Sequence, residues 1–131
     1  VTVLGLDPGT RKCGFALVAT PGAPPLSLGI ASLEALPARL RELLAIAPVT
    51  IAAIGRGTNA HAVAAMAREI GLRVAFVDER ETTLLARRRY FRDNPPKGWR
   101  RLVPIGMLLP ERPIDDYAAV LIAERFLSSS G

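Results

Sequence analysis

The order in which two hydrophobic periods follow one another constrains this chain most. Three short apolar runs rich in β-branched residues come first, at 1–7, 13–19 and 26–30, separated only by turn-forming residues. Beyond residue 33, stretches of helical spacing alternate with short continuous apolar runs. Strands joined by tight turns pair antiparallel, whereas strands separated by a helix can pair parallel. The order therefore predicts an α/β fold whose five-stranded mixed sheet, a three-stranded antiparallel meander plus two parallel strands, is flanked by helices. A chain of 131 residues buries one sizeable core, so residues 1–131 are expected to form a single domain.

The boundaries follow from local chemistry. The first run ends in Asp7-Pro8-Gly9, a turn that leaves Asp7 at the carboxyl end of its strand. Leu33, Leu36, Leu40, Leu43, Leu44 and Ala47 recur at helical spacing, with Pro37 in the first turn of that helix. A strand is expected at 49–55. A second helix should be capped by Thr58 or Asn59, run to Ile70 and be ended by Gly71. The last strand covers 72–77, helices cover 79–92 and 115–127, and residues 93–112 form a Pro-, Gly- and Arg-rich connection. The lone Cys13 cannot staple the chain and reads as a small core residue. With no apolar run long enough to span a bilayer, no membrane partner and a cytoplasmic setting are expected.

Charge narrows the partner. The net charge is +5 and the sequence pI about 10.3, and nearly all the basic residues are Arg, whose forked guanidinium suits phosphate. Seven of the 17 basic residues fall between 87 and 101: Arg87, Arg88, Arg89, Arg92, Lys97, Arg100 and Arg101. Tyr90, Phe91 and Trp99 are interleaved with them, a pattern suited to a polyanionic backbone with exposed bases. Arg56, Thr58 and Asn59, in a glycine-rich turn leading into a helix, are placed to meet phosphate. Arg11 and Lys12 lie beside Asp7, and either neutralise a phosphate there or decorate a hairpin. His61 is expected to be exposed rather than catalytic.

Three sets of carboxylates fall at element ends: Asp7 closes the first strand, Asp78-Glu79 the last, and Asp115-Asp116 opens the final helix. Ligands of open α/β sheets lie outside the carboxyl ends of the strands. Asp7, Glu79 and Asp115 converging there would make an oxygen-only donor set suited to hard divalent cations, and two such ions serve phosphodiester hydrolysis. Each acid also has an ordinary alternative role, as turn former, first-turn acid or helix cap.

These residues carry a family resemblance. Gly5-Leu6-Asp7-Pro8-Gly9-Thr10-Arg11 with Gly14 resembles the opening of the RuvC-like and YqgF (RuvX) nucleases of the ribonuclease H-like superfamily. Val77-Asp78-Glu79-Arg80-Glu81-Thr82-Thr83 resembles the Asp-Glu-Arg-x-Thr-Thr segment of the YqgF family, and Ile114-Asp115-Asp116-Tyr117-Ala118-Ala119 its final Asp-x-x-Ala-Ala helix. The resemblance implies a ribonuclease H-like fold in which Asp7, Glu79 and Asp115 bind Mg²⁺ or Mn²⁺. Asp115 takes the family register, three residues before Ala118. Asp116 is a second choice, directed elsewhere if the helix already includes Asp115.

Two departures stand out. Gly55-Arg56-Gly57-Thr58-Asn59 replaces the Gly-Leu-Pro segment usual after the fourth strand. Arg112 stands where RuvC-type resolvases tend to carry a further acid, which favours the YqgF-like reading.

The function implied is a divalent-metal-dependent nuclease acting on branched DNA of the Holliday-junction kind, on precursor 16S ribosomal RNA, or on both. Its nucleic-acid contacts are expected from Arg11, Lys12, Arg56, Thr58, Asn59, Arg80, Lys97, Trp99, Arg100 and Arg101. A junction-resolving enzyme pairs two sites, so a homodimer is expected for that substrate. The alternatives are a non-catalytic nucleic-acid-binding protein and a small actin-like nucleotide-binding module. The second is suggested by Leu6-Asp7-Pro8-Gly9-Thr10 and opposed by the lack of room for a second lobe.

Overall fold

Alternation along the first strand explains the layering. In β1 (Val3–Pro8), Leu4 and Leu6 face one side of the sheet and Val3 the other, and all three are fully buried. A strand apolar on both faces belongs in a sheet covered on both sides. The structure, a computed structural model, describes residues 2–78, 82–104, 109–110 and 112–130, with only the backbone of Thr82, Thr83 and Ser130.

β1 pairs antiparallel with β2 (Lys12–Val18), and β2 with β3 (Ser27–Ser32). On its other side β1 pairs parallel with β4 (Ile51–Gly55), which pairs parallel with β5 (Arg73–Val77). The order β3-β2-β1-β4-β5 is the mixed sheet expected from the sequence, with β1 at its centre. β1, β4 and β5 all end on one edge.

Helices α1 (Leu36–Ile46) and α2 (Ala60–Ile70) cover one face. There Leu36, Leu40, Leu43, Val63, Ala64 and Ala67 pack on Leu4, Leu6, Cys13, Phe15, Leu17 and Ile54. Pro37 sits in the first turn of α1 and Gly71 closes α2 at φ 104°, both as expected. Asn59 precedes α2, but its side chain makes no capping bond.

Helix α4 (Asp115–Ser130) covers the other face, and Ala119, Val120, Ile122 and Ala123 bury against Val3, Ala16, Val18 and Ala53. Helix α3 (Thr82–Asp93) packs on α4 through Ala86, Tyr90, Phe91 and Tyr117. The Pro-, Gly- and Arg-rich connection beyond α3 is not all loop but contains a 3-10 helix, Gly98–Leu102. No described helix is long and apolar enough to cross a membrane.

Candidate functional site

Two missing side chains bring the first two strands and the last helix together. Gly5 lies against Ala119, and Gly14 against the backbone of Asp115 and Asp116. A methyl group at either glycine would overlap main-chain atoms of α4. Gly14 is the register partner of Asp7 in the antiparallel ladder. The first turn of α4 therefore settles beside the end of β1. Asp7 and Asp115 consequently line one cleft of about 480 Å³, together with Gly9, Thr10, Arg11 and Lys12.

The electrostatics of that cleft are legible in a neighbour. Burial pushes the Cys13 thiol up to about 12, and the charges of Asp7 and Asp115 push in the same direction, with Asp7 the stronger of the two. The thiol itself packs in the core beneath α1 and α2 and does not line the cleft. The cleft sets the carboxylates of Asp7 and Asp115 beside the cations of Arg11 and Lys12, and paired carboxylate oxygens fit a hard divalent cation.

Helix geometry separates the two adjacent acids of α4. Asp115 faces the cleft, where its Oδ2 lies 3.4 Å from Lys12 Nζ. Asp116 is buried; its Oδ1 accepts from the Tyr117 backbone N–H at 2.9 Å and pairs with Arg112 at 3.2 Å. The Arg112 guanidinium also lies over the rings of Tyr90 and Tyr117. Asp116 is thus fixed toward α3, away from Asp7, as expected for a helix that begins at Asp115.

The third acid of the sequence-based set, Glu79, lies outside the described residues, as does Arg80. The preceding Asp78 is described, and its carbonyl accepts from Arg125 Nη1 at 2.6 Å. Among the described residues no three metal-ligating side chains cluster.

The glycine-rich turn meets the β1–β2 turn through one side chain. Asn59 adopts the left-handed conformation at φ 64°, which Asn tolerates better than most residues. Its Nδ2 donates to the carbonyls of Gly9 at 2.9 Å and Thr10 at 3.3 Å. The sequence suggested Asn59 as a cap or a phosphate contact, and its amide ties the glycine-rich turn to the β1–β2 turn that lines the cleft. Arg56 and Thr58 are exposed on the same turn, the former over the ring of Phe76.

The basic stretch divides in two. Arg89 is 7% exposed and bonds both carboxylate oxygens of Glu124 at 2.9 Å, while donating to the Ala23 carbonyl at 3.0 Å. The Gly22 N–H donates to the same carboxylate. Arg89 is therefore an internal tie between α3, α4 and the β2–β3 connection, a correction to its place in the charged surface. Period reasoning missed it because one charged residue among six others carries no mark of burial; Glu124, inside the apolar pattern of α4, was the available signal. Lys97, Trp99 and Arg101 are exposed on the connection, with Trp99 74% accessible, and Arg100 is half-buried. His61 is exposed beside Phe76, as expected.

No protein-family model and no curated protein matches the chain. Among solved structures, Thermus thermophilus RuvC is 18% identical; the match covers 100% of this chain and 97% of that one, with a TM-score of 0.60. T. thermophilus RuvC in complex with Holliday junction substrate is 18% identical over 98% of this chain and 94% of that one, again with a TM-score of 0.60. At this identity the likeness shows the fold, and the fold is ribonuclease H-like.

Proposed function

We propose that the chain is a divalent-metal-dependent nuclease of the YqgF (RuvX) kind, hydrolysing phosphodiester bonds in structured nucleic acid. The observation that carries the reading is the meeting of Asp7 and Asp115, from opposite ends of the chain, in one cleft at the carboxyl edge of the sheet. The Asp-Glu-Arg-x-Thr-Thr resemblance supplies Glu79 as the third acid. Arg112, occupied with Asp116 and two tyrosine rings, supports the YqgF-like branch over RuvC proper. The RuvC that shares the fold is described with a Holliday junction substrate, which supports nucleic acid as the partner here.

Each residue has a task in this reading. Asp7, on a central strand, and Asp115, in the first turn of a packed helix, hold carboxylate oxygens on rigid elements and so set the position of the reacting phosphate. Mg²⁺ or Mn²⁺, when bound by Asp7, Glu79 and Asp115, supplies Lewis acidity to the hydrolysis. Arg11, Arg56, Thr58 and Arg80 take the sugar-phosphate path near the cleft, with Asn59 keeping the two turns in register. Lys97, Trp99, Arg100 and Arg101 extend the footprint, Trp99 by stacking on an unpaired base.

Incubation with a four-way DNA junction and with structured precursor RNA, each in Mn²⁺, Mg²⁺ or EDTA, tests the proposal. Cleavage that EDTA abolishes is expected, and the relative rates on the two substrates rank them. Asp7→Asn should lose cleavage while retaining binding. Binding without cleavage under every metal condition would instead identify a non-catalytic nucleic-acid-binding protein.

A further inference from the structure

The two acids that open α4 are held by cations in very different ways. The Asp116 side chain is 5% exposed, and its partner Arg112, itself 43% exposed, lies over two tyrosine rings and also donates to the Pro113 carbonyl. That pair is part of the α3–α4 packing. Asp115 instead meets the ammonium of Lys12: the side chains of Lys12 and Asp115 are 46% and 36% exposed, and the pair lines the cleft that Asp7 enters. Strand alternation explains how Lys12 gets there. Lys12, Gly14 and Ala16 share one face of β2, Gly14 lies against the Asp115 backbone and Ala16 packs against α4, so the first residue of β2 reaches the start of the helix.

We infer that Lys12 is an exchangeable counter-ion of the metal site: it holds Asp115 while no divalent cation is bound and competes with the cation for that carboxylate. The inference rests on the reading of Asp7 and Asp115 as metal ligands. An exposed ion pair contributes little to stability, so Lys12 can leave Asp115 without loosening α4. A positive charge beside the site still opposes entry of a second one. Lys12 thereby sets the cation concentration at which the site fills, a positioning role exerted through Asp115.

Mn²⁺ titration of the full chain, with free Mn²⁺ counted by electron paramagnetic resonance, tests this in wild type, Lys12→Met, Lys12→Arg and Asp7→Asn. Lys12→Met is expected to bind Mn²⁺ about three- to tenfold more tightly, as loss of one nearby cation implies, and Lys12→Arg to stay within about twofold of wild type. A Lys12→Met affinity equal to or weaker than wild type, with Asp7→Asn still impaired, overturns the counter-ion role and leaves the metal site standing. Mn²⁺ binding absent from wild type, or unaffected by Asp7→Asn, removes the metal reading and this inference with it. As a second readout, the Lys12 ε-methylene NMR signal should move on addition of Mg²⁺, and an unmoved signal in a Mg²⁺-loaded sample would also overturn the role. Lys12→Gln substitutes for Lys12→Met if the latter does not fold.

Discussion

Gly14 shows how one residue governs a site it does not chemically join. Any side chain there must displace the main chain of Asp115 and Asp116, and forcing atoms into a packed contact typically costs about 1–3 kcal/mol. Gly14→Ala should therefore destabilise the fold by about 3 kcal/mol, read as a lowered midpoint in urea, and should weaken Mn²⁺ binding in the population still folded. Cys13 gives a second prediction. Its folded thiol ionises at about 12 against an ordinary value of 9.0, so the folded state keeps a proton that the unfolded chain gives up. The associated stability is fully present below pH 9 and drains away as pH rises from there toward 12. Chemical denaturation across pH 8–11 should show this decline, and Cys13→Ala should flatten it. That Asp115 and Asp116 point apart was legible in the sequence, because neighbours on a helix diverge by about 100°. The burial of Asp116 under Arg112 was not, since it depends on two tyrosines reaching the same place from α3 and α4.

Among the elements, α3 is where pattern and packing part company. Its sequence is dominated by arginines, yet Arg89 points inward to Glu124 of α4 and to the carbonyl of Ala23. Removing one partner of a buried pair strands the other charge. Glu124→Ala should cost about 3–5 kcal/mol, measured by thermal or urea unfolding, while Arg89→Met combined with Glu124→Leu should recover most of that loss. Most helix and strand bounds were readable to within about three residues, because the segments carry a period or a continuous apolar run; α1 begins at Leu36 rather than Leu33 and α4 ends at Ser130 rather than Leu127, and the expected start of the third helix at residue 79 lies outside the described residues. The 3-10 helix at Gly98–Leu102 was not readable, since a run of five residues with two prolines upstream carries no period to detect.

Across the whole molecule, the element order predicted a mixed sheet, and β3-β2-β1-β4-β5 is one. Adjacency was harder to read: β1 and β5 end on the same edge but β4 lies between them, a relation set by crossovers rather than by any local signal. The net charge of +5 has its own test at this scale. Replacing Arg100 and Arg101 together with Ala should weaken nucleic-acid binding and reduce the slope of log affinity against log salt by about one to two counterions. An unchanged slope would take the connection out of the footprint.

Helix α4 sets Asp115 beside the end of β1 in its first turn and, through Arg125, grips the carbonyl that follows β5. It is mechanically a strut spanning two separate corners of the molecule. Strain introduced at either corner is transmitted along a stiff rod, and an Arg125→Ala protein should show faster amide exchange near Asp78 while its sheet amides stay protected.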